Sequence, residues 1–269
     1  MKLKTRLVAV VVAITLAGCD QAKNSDLVID NREPVSWINS PHSEWPQVLL
    51  TNYAEFDGHT SLEGASSFLV KNSKGAVVAI TARHLLSEQG GVEPAIAVDR
   101  VNDVLKGWIL FPRDNPDEFV RLRGITLSDM SHSDEAWNEI DFVVLDLAEN
   151  PPSQFEPLPI RISPIQVGEK VYLFGIPYDE SGGQNIYSGT VTERSGTRFR
   201  YDITPSANIR GFSGAPIVDS KGYVVGLMTV WFHASMDGDN YLEAGGQDIG
   251  LVVPDISSRA STLTTGESP

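Results

Sequence analysis

Basic residues are scarce in this chain of 269 residues, and it has a single cysteine, Cys19. One cysteine excludes an intramolecular disulfide. Lysine and arginine number 21 against 35 aspartates and glutamates, which gives a net charge of −14. A chain this acidic does not neutralise phosphate, so nucleic-acid binding is excluded, and anionic lipid headgroups repel it. The acidity itself is typical of a soluble surface.

Long helical patterns and internal repeats are also missing, which argues against helical bundles and solenoids. Glycine and proline are instead plentiful, at 23 and 16 residues, as in chains of short strands joined by turns. Thirteen candidate strands follow from about residue 46. They are residues 48–53, 66–71, 76–81, 95–98, 107–111, 119–127, 141–147, 170–174, 185–192, 198–203, 215–218, 224–230 and 248–253. This pattern predicts an all-β fold, either paired barrels or a sandwich.

The N-terminus reads as a targeting segment. Basic residues Lys2, Lys4 and Arg6 precede an apolar run at 7–16 that is too short to span ~30 Å of hydrocarbon as a helix. Residues 16–19, Leu-Ala-Gly-Cys, resemble the lipobox of bacterial lipoproteins. That resemblance implies cleavage after a signal peptide at 1–18 and acylation of Cys19, and several acyl chains anchor a protein stably.

The expected location is therefore the bacterial cell envelope, with the protein facing the periplasm or exterior. Asp20 follows the cysteine and resembles the signal for retention in the inner membrane. The alternative is an ordinary secretory signal with an incidental cysteine. Residues 19–45 are polar and are interpreted as a lipidated tether, whose Trp37 and Trp45 indicate that its end packs on the folded domain. The domain is expected at 46–256, and residues 257–269 are interpreted as a flexible tail.

The strongest chemical motif is the segment 211–216, Gly-Phe-Ser-Gly-Ala-Pro. A nucleophilic serine has to stand on a tight turn beside backbone N–H groups that can stabilise an oxyanion. Gly211 allows such a turn because it lacks a Cβ. Ala215 stands where the nucleophile elbow of α/β-hydrolases requires glycine, so that fold is not indicated.

A serine nucleophile needs a base and an orienting carboxylate. Among five histidines, only His84 closes a strongly apolar run, at residues 76–86. Asp141 begins another apolar strand, and a buried unpaired carboxylate there would be costly unless it met an imidazole. Asp146 and Asp134 remain alternative partners.

These three blocks, residues 81–84, 141–145 and 211–216, stand in the order His, Asp, Ser and resemble the active-site blocks of the chymotrypsin-like, or trypsin-like, serine proteases. Residues 64–70 resemble the strand before the histidine hairpin of that family, and residues 226–230 resemble its substrate-binding strand. Residues 167–177 and 249–254 resemble strands of the periplasmic heat-shock members. The resemblance covers about residues 60–255. It implies two antiparallel six-stranded β-barrels packed face to face, with the active site between them.

The resemblance also implies the roles of the site residues. Ser213 would attack the peptide carbonyl, His84 would move the proton, and Asp141 would orient His84. The N–H groups of Gly211 and Ser213 would form the oxyanion hole, and no metal or organic cofactor would be needed. The expected partners are protein or peptide substrates and the membrane that holds the anchor; no oligomeric state is indicated.

Two features depart from the family pattern. Phe212 replaces the acidic or amide residue that precedes the serine in many members, so packing must hold the oxyanion loop. Ala207 resembles the floor of the primary specificity pocket and carries no carboxylate, so small or medium apolar side chains are expected there. The other expected pocket residues are Arg210, Thr229, Val230 and Trp231.

Three functions are therefore compared. The first is a lipoprotein serine endopeptidase, in which the three catalytic residue types converge. The second is a catalytically silent protease fold that serves as a binding or scaffold module, for which an oxyanion loop with the Gly211 N–H turned away would be evidence. The third is another all-β secreted lipoprotein, such as a carbohydrate-binding sandwich, which would not bring His84, Asp141 and Ser213 together.

Overall fold

The computed structural model describes residues 31–71, 75–125, 140–229 and 236–251. Within these ranges no helix is long and apolar enough to cross a membrane. The signal peptide, Cys19, Asp20, Val230, Trp231 and the C-terminal tail lie outside the described residues.

Six antiparallel strands close the first barrel. They are β1 (Leu50–Phe56), β2 (Leu62–Lys71), β3 (Val77–Thr81), β4 (Leu105–Phe111), β5 (Val120–Ile125) and β6 (Val143–Leu147). Their order is β1-β4-β5-β6-β3-β2, and pairing of β1 with β2 closes the ring. A two-residue strand, β7 (Leu158–Pro159), adds to β2 in parallel.

The second barrel has the same construction. Its strands are β8 (Lys170–Gly175), β9 (Asn185–Ser195), β10 (Arg198–Ala207), β11 (Pro216–Asp219), β12 (Val224–Thr229) and β14 (Asn240–Asp248). The order is β10-β9-β8-β11-β12-β14, and β10 pairs with β14 to close it. The short β13 (Met236–Asp237) pairs with the start of β14. The all-β double barrel predicted from the sequence is confirmed, and the sandwich is excluded.

Helical structure in the described residues is confined to short turns. The only α-helix there is α1 (Val101–Val104). The 3-10 turns are His42–Glu44, Arg83–Leu86, Glu88–Gly90, Val98–Arg100 and Ile249–Leu251.

Alternating burial explains why these sequences form barrel strands. Along β1 every second side chain points into the barrel and is buried, while the intervening residues are half-buried or exposed. Leu69, Leu145 and Trp108 fill the centre of the first barrel, and Phe199 and Leu173 occupy the second. The barrel interiors are thus packed cores, and function has to reside at their edges.

The N-terminal segment before β1 packs on the second barrel. Trp45 is buried, and its ring lies 5.2 Å from Tyr172 and 5.6 Å from Phe174, both on β8. Trp37 packs against Trp45, with ring centroids 5.0 Å apart and ring planes tilted by 58°. The Val35 N–H donates to the Lys221 carbonyl at 2.9 Å. The end of the expected tether therefore lies on the domain, as its two tryptophans indicated.

Two strand predictions differ from the structure. Residues 95–98 are not a strand: Ile96 is buried and its N–H donates to the Leu86 carbonyl, after which a 3-10 turn begins. Of the strand predicted at 248–253, the described residues after Asp248 form the 3-10 turn Ile249–Leu251, and the strand instead covers Asn240–Asp248. Its glycines hid it, since a Cβ at Gly246 would lie 2.5 Å from the Phe199 ring. Phe199 fills the space that strand side chains would otherwise use.

Candidate active site

His84 lies immediately beyond β3, in the 3-10 turn Arg83–Leu86. Leu85 and Leu86 in the same turn are buried, so the turn is anchored in the first barrel. The His84 side chain is 13% exposed. It is therefore fixed at the barrel edge but can still be reached from solvent.

Asp141 holds this histidine at two points. One carboxylate oxygen, Oδ1, accepts the His84 backbone N–H at 2.9 Å, and Oδ2 lies 2.7 Å from the ring nitrogen Nδ1. A proton on Nδ1 is then shared with the carboxylate, which leaves Nε2 free to act as a base. Of the two alternative carboxylates, Asp146 lies within β6 with Val78 as its Cα partner, and Asp134 lies outside the described residues.

A second basic group lies near this pair. Burial lowers the pKa of Arg83, the Asp141 charge opposes that shift, and the Arg198 charge adds to it. Arg83 is thus close enough to both groups to sense them.

Ser213 occupies a tight turn between β10 and β11. The Ala215 N–H donates to the Phe212 carbonyl at 2.7 Å, and the Gly214 N–H donates to the Met228 carbonyl at 2.9 Å. The second bond ties the turn to β12, one residue before Thr229. Ser213 itself is partly exposed.

The turn also touches the first barrel directly. A Cβ at Gly214, where φ is +85°, would lie 2.2 Å from the Ser66 carbonyl oxygen and 3.0 Å from the Ala82 nitrogen. Ala82 is two residues before His84. Close approach at Gly214 therefore brings the serine turn against the chain that leads into the histidine.

Ser66, on β2, supports the serine turn and was not predicted from the sequence. Its backbone N–H donates to the Ser213 carbonyl at 2.8 Å, and its Oγ donates to the Gly211 carbonyl at 3.1 Å. One residue of the first barrel thus holds both carbonyls of the serine turn. The available signal was the pair of serines, Ser66 and Ser67, that interrupts an otherwise apolar strand.

The backbone before Ser213 forms a type II turn. The Phe212 N–H donates to the Ile209 carbonyl at 3.1 Å, and Gly211 at the third position has φ +90°. The flipped central peptide of a type I turn would instead need a negative φ at Gly211. Among the described residues, neither the Gly211 N–H nor the Ser213 N–H meets an acceptor. Both donors remain available to a substrate.

Phe212 is fully buried and packs beneath this turn. Its ring centroid lies 5.5 Å from that of Tyr187, and a Cβ at Gly175 would fall 2.1 Å from the ring. Gly175, at the end of β8, has to be glycine because the phenyl ring fills the place of its side chain. Apolar packing at Phe212 therefore anchors the loop where other members of the resembled family carry a polar residue.

Of the described residues that were expected in the specificity pocket, Ala207 lines a cavity and the others do not. Ala207 is buried and lines a cavity of about 620 Å³ with Tyr187, Asn208 and Asn240. Arg210 is exposed and Thr229 is buried at the end of β12, and neither lines that cavity within the described parts of the chain. Val230 and Trp231 are outside the described residues.

The family described as trypsin-like peptidase domain matches residues 65–227, more than half of the chain. The chain belongs to the trypsin-like peptidase family. No curated protein sequence matches it.

Solved structures of such peptidases share the fold. The active form of the Rv3671c protease from M. tuberculosis is 16% identical, with a TM-score of 0.53 over 87% of this chain and 91% of that one. The HtrA-type protease AlgW, solved with a decapeptide, is also 16% identical, with a TM-score of 0.51 over 79% of this chain and 64% of AlgW. Family and fold together make this trypsin-like peptidase a serine endopeptidase.

Proposed function

We propose that this trypsin-like peptidase cleaves peptide bonds through Ser213, His84 and Asp141, and that a lipid on Cys19 holds it in the bacterial envelope. The main support is the contact between His84 and Asp141, with Nδ1 2.7 Å from Oδ2. That contact fixes the imidazole tautomer that a serine nucleophile needs.

The proposed reaction follows from the groups present. The His84 Nε2 takes the Ser213 hydroxyl proton while Oγ attacks the peptide carbonyl, forming a tetrahedral oxyanion. The free N–H groups of Gly211 and Ser213 donate to that oxyanion. Collapse of the intermediate breaks the C–N bond as His84 returns the proton to the leaving amine. Water, activated by the same histidine, then hydrolyses the acyl-enzyme and regenerates Ser213.

The type II turn supports an active enzyme over a silent scaffold. A loop with the Gly211 N–H turned away would need an acceptor for it or a flipped peptide, and the turn at Ile209–Phe212 has neither among the described residues. Peptide as the substrate class agrees with the decapeptide in the AlgW structure.

The test is labelling by a fluorophosphonate probe of the full chain, produced in a bacterial host and solubilised in detergent. Wild type should be labelled, whereas Ser213→Ala should not. His84→Ala should lower the labelling rate by about 10³-fold or more, because the serine loses its base. A folded wild-type protein that resists the probe would refute the endopeptidase proposal and favour a binding module.

Anchoring is tested separately by feeding cells an alkyne fatty acid and comparing wild type with Cys19→Ala. Incorporation in the wild type alone supports lipidation at Cys19. Equal incorporation in both proteins, or none in either, would contradict the anchor without affecting the protease assignment. Fractionation of inner and outer membranes then examines the inner-membrane expectation drawn from Asp20.

A further inference from the structure

Gln247 is a fully buried amide with no role in the triad described above. It lies on β14, in a closed part of the second barrel, where its Cα partners are Arg198 on β10 and Leu227 on β12. A strand paired on both sides is rigid, and a buried amide is costly unless its polar atoms are bonded. The burial of Gln247 therefore indicates that its side-chain amide makes specific hydrogen bonds.

One of these hydrogen bonds is to the backbone of Asp141. The Gln247 Oε1 accepts the Asp141 N–H, a hydrogen bond between residues 106 positions apart that joins the second barrel to the first. Gln247 Nε2 lies 3.5 Å from the Thr197 Oγ1 in the turn between β9 and β10. The amide thus reaches from the second barrel to the residue that orients His84.

Asp141 needs such support because the sheet does not hold it. Residues 140–142 precede β6, whose ladder with β3 begins only at Val143. Both oxygens of the Asp141 carboxylate are directed at His84, one at the backbone N–H and one at Nδ1. A small rotation of the unsupported backbone would break both contacts, since hydrogen bonds weaken steeply with angle.

We propose that Gln247 is a positioning residue of the catalytic centre: its Oε1 fixes the Asp141 backbone and thereby holds the carboxylate on His84. This inference rests on the proposed function. Within the described parts of the chain, the contacts of the Gln247 side chain are with Asp141 and Thr197 and not with Ser213. It acts through Asp141 and makes the orientation of the histidine depend on correct packing of the two barrels.

The test uses Gln247→Met, which keeps the side-chain length and removes the acceptor. In the detergent-solubilised full chain, the maximal rate of fluorophosphonate labelling should fall about tenfold, with an unchanged probe concentration at half-maximal rate. The matched control is Asn102→Leu. Asn102 Oδ1 also accepts a backbone N–H, that of Ile125 at 2.8 Å, but Asn102 lies in α1 and Ile125 in β5, which carry none of His84, Asp141 and Ser213, so labelling should stay at the wild-type rate.

A spectroscopic signal separates this inference from the proposed function. The proton between His84 Nδ1 and Asp141 should give a downfield proton NMR resonance, assigned by its loss in Asp141→Asn. Gln247→Met should weaken or shift that resonance, even if no variant reacts with the probe. Should Gln247→Met not fold, Gln247→Asn is the second variant. Its side chain is one methylene shorter, which moves the amide oxygen away from the Asp141 N–H, so the resonance should change in the same direction. A folded variant with wild-type resonance and labelling rate would overturn the proposal.

Discussion

At the scale of single residues, the site depends on where side chains are absent as much as on where they are present. Gly214 lets the serine turn touch the Ser66 carbonyl, and Gly175 makes room for the Phe212 ring. In each case the glycine is paired with a specific neighbour from a distant part of the chain. A single added methyl group therefore tests whether the packing matters for catalysis.

Gly175→Ala is the clearest such test. The new methyl group would overlap the Phe212 ring and displace it, so we expect a loss of about 1–3 kcal/mol in the free energy of unfolding. Because Phe212 lies between Gly211 and Ser213, the labelling rate of Ser213 should fall as well. Thermal unfolding and fluorophosphonate kinetics measure the two effects.

Gly107→Ala serves as the matched control, since a Cβ there meets nothing within 4 Å and Gly107 also lies in a strand. It should change neither quantity. The double variant Gly175→Ala with Phe212→Leu should recover part of the stability, because the smaller side chain leaves space for the methyl. Wild-type labelling in Gly175→Ala would show that Phe212 does not position the turn.

At the scale of elements, a buried ion network joins the segment between the barrels to the second barrel. Arg161, which follows β7, lies with its Nη1 2.5 Å from Glu169 Oε2 and 3.4 Å from Asp219 Oδ2. The side chains of Arg161 and Asp219 are 9% and 3% exposed. Asp219 Oδ1 in turn accepts the N–H groups of Lys221 and Tyr223, which shapes the turn from β11 to β12.

Arg161→Met should therefore be strongly destabilising. The substitution removes the cation that faces the buried Asp219 carboxylate and the partly exposed Glu169 carboxylate, which costs roughly 3–5 kcal/mol. Urea unfolding measures the change. Arg121→Met provides the comparison, because Arg121 pairs with Glu149 at a largely exposed site, where an ion pair contributes about 1 kcal/mol or less. Equal losses in both variants would contradict a special role for the buried network.

At the scale of elements, some features of the site follow from the sequence and others do not. The blocks around His84, Asp141 and Ser213 were recognisable because the neighbouring residues in the sequence mark each one, either as the end of an apolar strand or as a glycine-rich turn. Ser66 and Gln247 were not, since their partners lie 145 and 106 positions away and depend on strand register and barrel packing. Strand β14 was misplaced because Gly246 leaves its side-chain space to the Phe199 ring, so the strand lacks the apolar alternation that marks the others.

At the scale of the whole molecule, hydrogen bonds join the two barrels at the candidate catalytic residues. Ser66 bonds the serine turn from the first barrel, and Gln247 bonds Asp141 from the second. Each barrel thus supports the part of the site that the other one carries. The labelling rate of Ser213 should therefore depend on the relative position of the two barrels. Global unfolding should break the hydrogen bonds of Ser66 and Gln247 together.

Global stability at high pH depends on Tyr201, in the core of the second barrel. Its side chain is fully buried, its hydroxyl has no hydrogen-bond partner among the described residues, and burial raises its pKa above the ordinary value of 10.0. The unfolded chain releases this proton as the pH passes about 10, whereas the folded chain keeps it. The tyrosine contribution to stability is therefore fully present below pH 10 and is lost as the pH rises above it, by up to about 1.4 kcal/mol per pH unit.

Tyr201→Phe should consequently be tolerated, although it alters the barrel core. At neutral pH the variant should be at least as stable as wild type, since it removes a buried hydroxyl that lacks a partner. Between pH 10 and 11 its advantage should grow by about 1 kcal/mol, because phenylalanine has no proton to lose. Urea unfolding of both proteins at pH 7, 10 and 11 measures this difference. Parallel pH curves, or a variant less stable at every pH, would show that the Tyr201 hydroxyl is bonded in solution and that its ionisation does not limit the fold.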